Sequence, residues 1–443
     1  MNFIKNLYIH QQFFVYISAI AALFLISYWV PIFYPISWIL TSVFCVLILV
    51  DLLGLFATKN GIIAHRVLAK KFSNSDENPV QIPVKNAYPF KVNITLIDEL
   101  PVQFQKRDFK LIQTLVSKDQ YTFNYLVTPF ERGRYHFGFI NIYASSPLKI
   151  FAKRYRFENR QEVAVYPSYL QMKTYEFLAM SNRLTQVGLK KIRRIGHTME
   201  FEQIKNYVPG DDARTINWKA TAKKGALMIN QYQDEKSQPI YSIIDVSRTM
   251  KMPFEELKLI DYAINATLAF SNIALLKNDK AGMMTFSKTI GNVVPASNKK
   301  TNLSILNESL YGITTDFKEA DFGLLYGTIK RKINQRSLLI LYTNFEHISA
   351  LKRQLKYLKS IGKNHLLVTV FFENTELDEL IHTNAEDLQS IYHKTIAEKF
   401  AYEKRLILKE LEKAGIHAIL TKPSQLSVNV INKYLEFKAK GLI

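Results

Sequence analysis

The sequence predicts a multidomain chain: an N-terminal transmembrane helical hairpin, a β-sandwich-like region and a C-terminal doubly wound α/β domain. Three observations predict it. No Asp, Glu, Lys or Arg occurs between Asn6 and Val50. Short alternating apolar stretches, punctuated by Pro, Gly, Asn and Asp, then run to about residue 166. Beyond Gln238, apolar strand-like runs alternate with segments of helical spacing. The expected boundaries are 1–58 for the hairpin, 59–168 for the β-rich region, 169–236 for a linker segment and 237–443 for the α/β domain.

Within the uncharged stretch, Phe13 to Val30 and Ile36 to Ala57 are each long enough to cross a hydrocarbon core of about 30 Å. Pro31 and Pro35 are expected to break the helical pattern between them. Trp29, Tyr34 and Trp38 cluster at that break, as interfacial aromatics do. A signal peptide followed by a buried helix is the alternative, but no small-residue cleavage site stands out. Lys5 precedes the first run, and Lys59, Arg66, Lys70 and Lys71 follow the second. The positive-inside rule then places both flanks and the soluble part in the cytoplasm, on the inner membrane. Asp51 is expected to reach the headgroup layer or a Lys/Arg partner rather than act as an intramembrane acid.

In the middle region, Val80–Val84, Lys91–Ile97, Tyr121–Val127, Tyr135–Tyr143 and Glu162–Tyr166 read as strands. Glu131-Arg132-Gly133-Arg134-Tyr135 reads as a strand-entry turn with Gly133 at positive φ rather than as a basic recognition loop. The chain carries 58 Lys+Arg against 38 Asp+Glu, a formal charge of +20, which favours an anionic partner. Lys149, Lys153, Arg154 and Arg156, with Lys190, Lys191, Arg193 and Arg194, supply a basic stretch interleaved with Tyr155 and Phe157. No nucleic-acid motif accompanies it, so no nucleic-acid partner is expected. A solvated face or a surface near anionic membrane lipid is the expectation. The single cysteine, Cys45, excludes an intramolecular disulfide.

In the last region, strands are expected at Pro239–Asp245, Ala281–Phe286, Ser337–Tyr342, Leu366–Phe372 and His417–Leu420. Helices are expected at Glu255–Leu276, Leu303–Leu310, Phe322–Ile333, Ile348–Leu358, Asp387–Lys413 and Leu426–Phe437. This alternation predicts a mostly parallel sheet, whose ligands bind beyond the carboxyl ends of the strands. Asp245 and Asn344 stand at two such ends.

Two motifs carry a family resemblance. Asp245-Val246-Ser247-Arg248-Thr249 resembles the Asp-x-Ser-x-Ser metal-ion-dependent adhesion site of von Willebrand A domains. A strand-end carboxylate and two hydroxyls offer hard oxygens to Mg²⁺, although a strand-to-helix turn uses the same residues as caps. Upstream, Tyr207-Val208-Pro209-Gly210-Asp211-Asp212-Ala213-Arg214-Thr215-Ile216-Asn217-Trp218, flanked by Glu200-Phe201 and Gln231 to Glu235, resembles the signature of the domain-of-unknown-function fifty-eight family. The resemblance implies a membrane-anchored von Willebrand A-like protein acting with MoxR-type AAA+ ATPases. It implies a metal set of Asp245, Ser247, Thr249, Thr315 and Asn344. The chain departs from the pattern where Thr249 replaces Ser, Asn217 replaces Asp and Asn344 replaces a strand-end Asp. The last change removes a carboxylate, so occupancy by Mg²⁺ stays open. Pro209 to Asp212 read as a turn, with Asp211 or Asp212 capping a short helix that carries Arg214 and Trp218 on one face.

The leading functional expectation is a non-enzymatic interaction protein that engages a MoxR-type AAA+ ATPase. A metal-dependent hydrolase using Asp245 and Asp316, and an anionic-lipid-binding structural membrane protein, are the alternatives. There is no Walker A loop, Gly-x-Ser-x-Gly elbow or His-Glu-x-x-His helix in the sequence.

Overall fold

A computed structural model describes residues 5–158, 160–168, 172, 199–209, 211, 213–234, 237–254, 257–382 and 387–443. The chain divides into two compact units, Met1–Tyr166 and Pro167–Ile443.

The first unit begins with two apolar helices, Gln11–Ile26 and Phe33–Ala57. Phe33–Ala57 is long and apolar enough to cross a membrane, and only 11% of its most apolar window is buried. Leu259–Leu276 in the second unit passes the same test, but 83% of it is buried as a core helix. Gln11–Ile26 has 16 residues, which rise about 24 Å at 1.5 Å each. It stops four residues before the expected end at Val30, with Ser27 as its C-cap. Pro35 does not break the second helix. It occupies the first turn, where its missing N–H is one of the donors a helix start leaves unpaired anyway. Trp29, Tyr34 and Trp38 are all exposed around the turn.

The rest of this unit is sheet. Five strands run in the order Leu7–Ile9, Phe151–Phe157, Ile140–Ser145, Val92–Asp98, Leu111–Leu115. A second sheet is built on Asn78–Asn86, which pairs with Ile62–Ala64, Val67–Leu68 and Gln120–Val127. A third joins Lys71–Ser73, Gln161–Tyr166 and Gly133–Phe137. Val80, Ile82 and Val84 share one buried core with Ile94, Leu96, Ile142 and Val163. Alternate residues of Asn78–Asn86 are buried, which is the period-two pattern of a half-buried strand. Gly133 opens its strand at φ +134°, and the buried Tyr135 donates its hydroxyl to the Glu131 carbonyl at 2.9 Å.

Two sequence expectations fail here for one reason. Asp51 is buried, and its Oδ2 accepts the Phe151 backbone N–H at 2.9 Å. Lys153 is not part of a solvated face. Its Nζ donates to the carbonyls of Leu55 at 3.1 Å and Thr58 at 2.8 Å, capping the end of Phe33–Ala57 where a cation is favoured. Burial pushes its pKa down. The helix is thus fastened to the strand Phe151–Phe157, and both polar groups serve that junction. Lys190, Lys191, Arg193 and Arg194 lie outside the described residues.

In the second unit, a hairpin of Met199–Asn206 and Met228–Asp234 encloses the signature motif. The α/β core follows, with strands β1 (Pro239–Asp245), β2 (Lys280–Phe286), β3 (Ile290–Ser297), β4 (Leu338–Tyr342), β5 (Leu366–Phe372) and β6 (His417–Thr421). The helices are α1 (Leu259–Leu276), α2 (Thr301–Tyr311), α3 (Phe322–Lys332), α4 (Ile348–Asn364), α5 (Thr375–His382), α6 (Leu388–Lys413) and α7 (Leu426–Ala439). The sheet order is β3-β2-β1-β4-β5-β6, parallel except for the antiparallel edge strand β3. β3 was not foreseen, because its burial is partial and its apolar run is interrupted by Asn292 and Pro295. Gly282 permits its approach: a Cβ there would lie 2.7 Å from the Ala296 nitrogen.

Successive residues of β1 serve opposite faces. Ile240 and Ile244 pack with α1, α2 and α7, whereas Ile243 packs with α3, α4 and α6. A sheet covered on both faces needs nearly continuous apolar strands, and all five residues of β4 are buried. α1 starts at Leu259 rather than Glu255, after a short antiparallel pair of Pro253–Phe254 and Leu257–Lys258.

Candidate functional site

The parallel strands all end on one side of the sheet, and the expected site residues collect there. Asp245 closes β1 with 1% exposure. Its Oδ1 accepts the Ser247 N–H at 2.9 Å, and its Oδ2 accepts the Thr343 hydroxyl at 2.7 Å. The Ser247 and Thr249 hydroxyls lie 3.1 Å apart and pair with each other. Burial pushes the Asp245 pKa up; the Ser247 and Thr343 hydrogen bonds oppose this, and Asp316 adds to it. Asp316 accepts the Ser287 hydroxyl at 2.8 Å, and its N–H donates to the Val246 carbonyl at 2.9 Å. An open cleft of about 220 Å³ is lined by Asp245, Ser247, Thr249, Thr343 and Asn344. Thr315 does not line it, so the fold brings together four of the five expected metal-set residues.

Asn344 faces a cation instead of joining the hydroxyls. Lys404, on α6, donates Nζ to Asn344 Oδ1 at 2.6 Å and to the Phe345 carbonyl at 2.7 Å. Burial brings the Lys404 pKa down to about 8, and Glu346 acts against that fall. Lys404 was not foreseen, since one lysine in a long charged helix has no distinguishing spacing. Ser287, just past β2, was not foreseen either.

This donor set does not fit Mg²⁺. A hard divalent ion seeks several oxygens, usually including carboxylates. Among the expected metal-set residues Asp245 alone is a carboxylate, and both its oxygens already accept hydrogen bonds. The amide oxygen of Asn344 is held by an ammonium, whose charge repels a second cation. Among the described residues, no group of three or more His, Cys, Asp or Glu side chains is placed to hold a metal. Titrating the full chain in lipid nanodiscs with Mg²⁺ is therefore expected to give no heat of binding in wild type. Asn344→Asp alone is expected to form an ion pair with Lys404 and still bind none. Asn344→Asp with Lys404→Met restores a carboxylate and removes the competing charge, and is the variant expected to bind. Saturable wild-type binding in the calorimeter overturns this account.

The signature motif forms a separate structure within the hairpin. Asp211 does not cap a helix. Its Oδ2 accepts the Val208 N–H at 3.0 Å and its Oδ1 pairs with Lys205 at 3.2 Å. The Val208 hydrogen bond, then Lys205, draws its pKa down. The short helix begins at Trp218 and runs to Lys224, with Asn217 as its N-cap, accepting from the Ala220 N–H at 3.0 Å. Asn217 also donates to Asn230 at 2.8 Å. An Asp could not make that second bond while ionised, because a carboxylate only accepts. Arg214 lies in a preceding 3₁₀ turn rather than on the Trp218 helix. Trp218 is 70% exposed, Pro209 is exposed, and Gly210 and Asp212 lie outside the described residues.

Comparison with known proteins finds several similarities. Over 262 residues the chain is 23% identical to Uncharacterized protein YeaD of Bacillus subtilis (strain 168). That match covers 57% of this chain and 63% of the relative, so the chain spans less than two thirds of the relative's length. Among solved structures, the conserved hypothetical protein BatB from Bacteroides thetaiotaomicron aligns with a TM-score of 0.31 at 13% identity, covering 45% of this chain and 98% of that one. Proximal thread matrix protein 1 from the mussel byssus aligns with a TM-score of 0.28 at 11% identity, covering 46% and 48%. Residues 203–382, from the motif hairpin through α5, match the family described as Protein of unknown function DUF58. The matched stretch contains the Pro-Gly-Asp-Asp segment that carried the resemblance in the sequence.

Proposed function

We propose that the chain is a membrane-anchored, non-enzymatic interaction protein. In this reading its α/β unit is von Willebrand A-like and engages a protein partner at the carboxyl ends of the strands, the partner being a MoxR-type AAA+ ATPase. The observation that carries the reading is the state of the strand-end cluster. Asp245, Ser247, Thr249 and Thr343 spend their hydrogen bonds on one another, which shapes an open cleft rather than poising a nucleophile beside a base. The sheet order and the strand-end Asp245-x-Ser247-x-Thr249 motif support the von Willebrand A-like assignment.

The test is capture from membranes. Full-length tagged chain, solubilised with its partners, is expected to recover a AAA+ ATPase by mass spectrometry. Changing the half-buried Thr249 to bulky Gln should reduce recovery at least tenfold, with the chain's melting followed alongside to show that it still folds. Recovery of the same proteins by both forms would remove the cleft from the reading.

The two N-terminal helices serve as the anchor in this proposal, with the soluble units in the cytoplasm. Lys5 before them and Lys59, Arg66, Lys70 and Lys71 after them support that orientation. Alkaline phosphatase fused after Ala57 should be inactive, and a fluorescent protein fused at the same point should be bright. An active phosphatase reverses the topology.

A further inference from the structure

Beside the hydroxyl cleft lies a second, larger cavity, of about 430 Å³, which the proposed interaction does not use. It opens beyond the ends of β4, β5 and β6, between those strands and α6. Phe254, Phe372, Leu377, Phe400 and Leu420 form an apolar part of its wall. The volume is that of a small-molecule site, and the ends of parallel strands in an α/β sheet are where such sites form.

One cation faces this apolar space. Lys404 lines the cavity, and its two recorded bonds go to neutral oxygens, those of Asn344 and Phe345. Among the described residues it makes no ion pair. An ammonium has three donors and no acceptor, so one N–H is left for something else. The remaining charges are accounted for around it. His347 pairs with Glu403 at 3.0 Å. Arg405 lies on the rim and is exposed. Glu346 and Glu373 also line the cavity, each half-buried or more exposed, where water screens them. A part-buried cation whose hydrogen bonds go only to neutral oxygens gains most from an anion that can share its dry surroundings.

We propose that this cavity binds a small organic monocarboxylate with an apolar body, its carboxylate on the Lys404 ammonium and its body against Phe254, Phe372, Phe400 and Leu420, with no metal ion bridging. The ligand is a compact acid rather than a long-chain one, since the cavity is about 430 Å³. This site is distinct from the Ser247–Thr249 cleft, so it can stand whether or not that cleft holds a protein partner. Asn344, Glu346 and His347 line both, so occupancy of one is felt at the other through shared side chains.

Ligand-observed fluorine NMR on the full chain in lipid nanodiscs tests this, with empty nanodiscs as the partition control. The probes are 4-(trifluoromethyl)phenylacetate, 4-(trifluoromethyl)cinnamate and 4-(trifluoromethyl)benzoate, each beside its neutral primary amide. At least one acid should bind saturably, at least tenfold tighter than its amide and equally well with EDTA. Lys404→Met should weaken it at least tenfold. Ala401→Trp keeps the charge and fills the cavity from α6, and should weaken acid and amide alike. Failure of all three acids to bind wild type overturns the proposal, as does equal binding of acid and amide. Binding that survives both substitutions places the ligand elsewhere and also overturns it.

Discussion

Replacing Arg66 with Met is expected to cost the first unit about 3–5 kcal/mol, because it strands a buried carboxylate. Arg66 and Asp98 are both buried and form an ion pair, with Arg66 Nε donating to Asp98 Oδ2 at 3.0 Å. Tyr125 donates its hydroxyl to the same carboxylate, and burial, then Asp98, pushes the Tyr125 pKa up. Arg66 also donates to the Gly138 carbonyl at 3.2 Å and lies over the Phe137 ring. The network joins three parts of the unit: the segment after Ile62–Ala64, the end of Val92–Asp98 and the strand Gln120–Val127. Hydrogen exchange should report the loss as weakened protection of Val92–Asp98 and Gln120–Val127. Arg66→Met combined with Asp98→Asn removes the stranded charge and should recover much of it. If the single and double variants exchange alike, the charge is not what the network serves.

The second large effect separates stability from function at Asp245. Burial raises its pKa, so the folded state favours the protonated acid. As pH rises from the usual carboxylate range through the raised folded value, the folded chain binds the extra proton and its stability falls. Asp245→Asn removes that loss while keeping an oxygen for the Ser247 N–H. At neutral pH the variant should melt at the same temperature as wild type or higher, and below the carboxylate range the difference should vanish. Capture of the partner should nevertheless drop at least tenfold, since the Thr343 hydroxyl loses its acceptor and the cleft wall turns. A variant that melts markedly lower at neutral pH contradicts the burial account. One that still captures normally removes Asp245 from the cleft's work.

Several features were legible from local pattern alone. The five parallel strands were visible because a sheet covered on both faces demands runs such as Leu338–Tyr342, with no room for polar residues. Helices α3 and α6 were expected from their pattern, and the structure adds that Asp321 and Asp387 cap them by accepting amides three residues on. The Asp245 motif was legible where it is local, since Asp245 accepts the Ser247 N–H two residues on, whereas its Thr343 partner lies 98 positions away. The resemblance to the DUF58 family rested on contiguous residues, Tyr207 to Trp218, inside the matched stretch 203–382.

What only the tertiary structure decided was the partner of each polar group whose neighbour is distant in the chain. Asp51 meets Phe151, Lys153 meets Leu55, and Arg66 meets Asp98 across the first unit. Lys404 meets Asn344 from a helix sixty positions away. In each case the sequence shows an ordinary charge, and composition suggests solvent or lipid. Burial reverses that expectation: a charge taken out of water must be met by a hydrogen-bond partner, and the fold alone determines which one lies within reach. The edge strand Ile290–Ser297 escaped notice on similar grounds, because its pairing depends on the close approach that Gly282 allows. Local periodicity therefore determined the layers of this protein, whereas long-range electrostatics determined what its strand-end face presents.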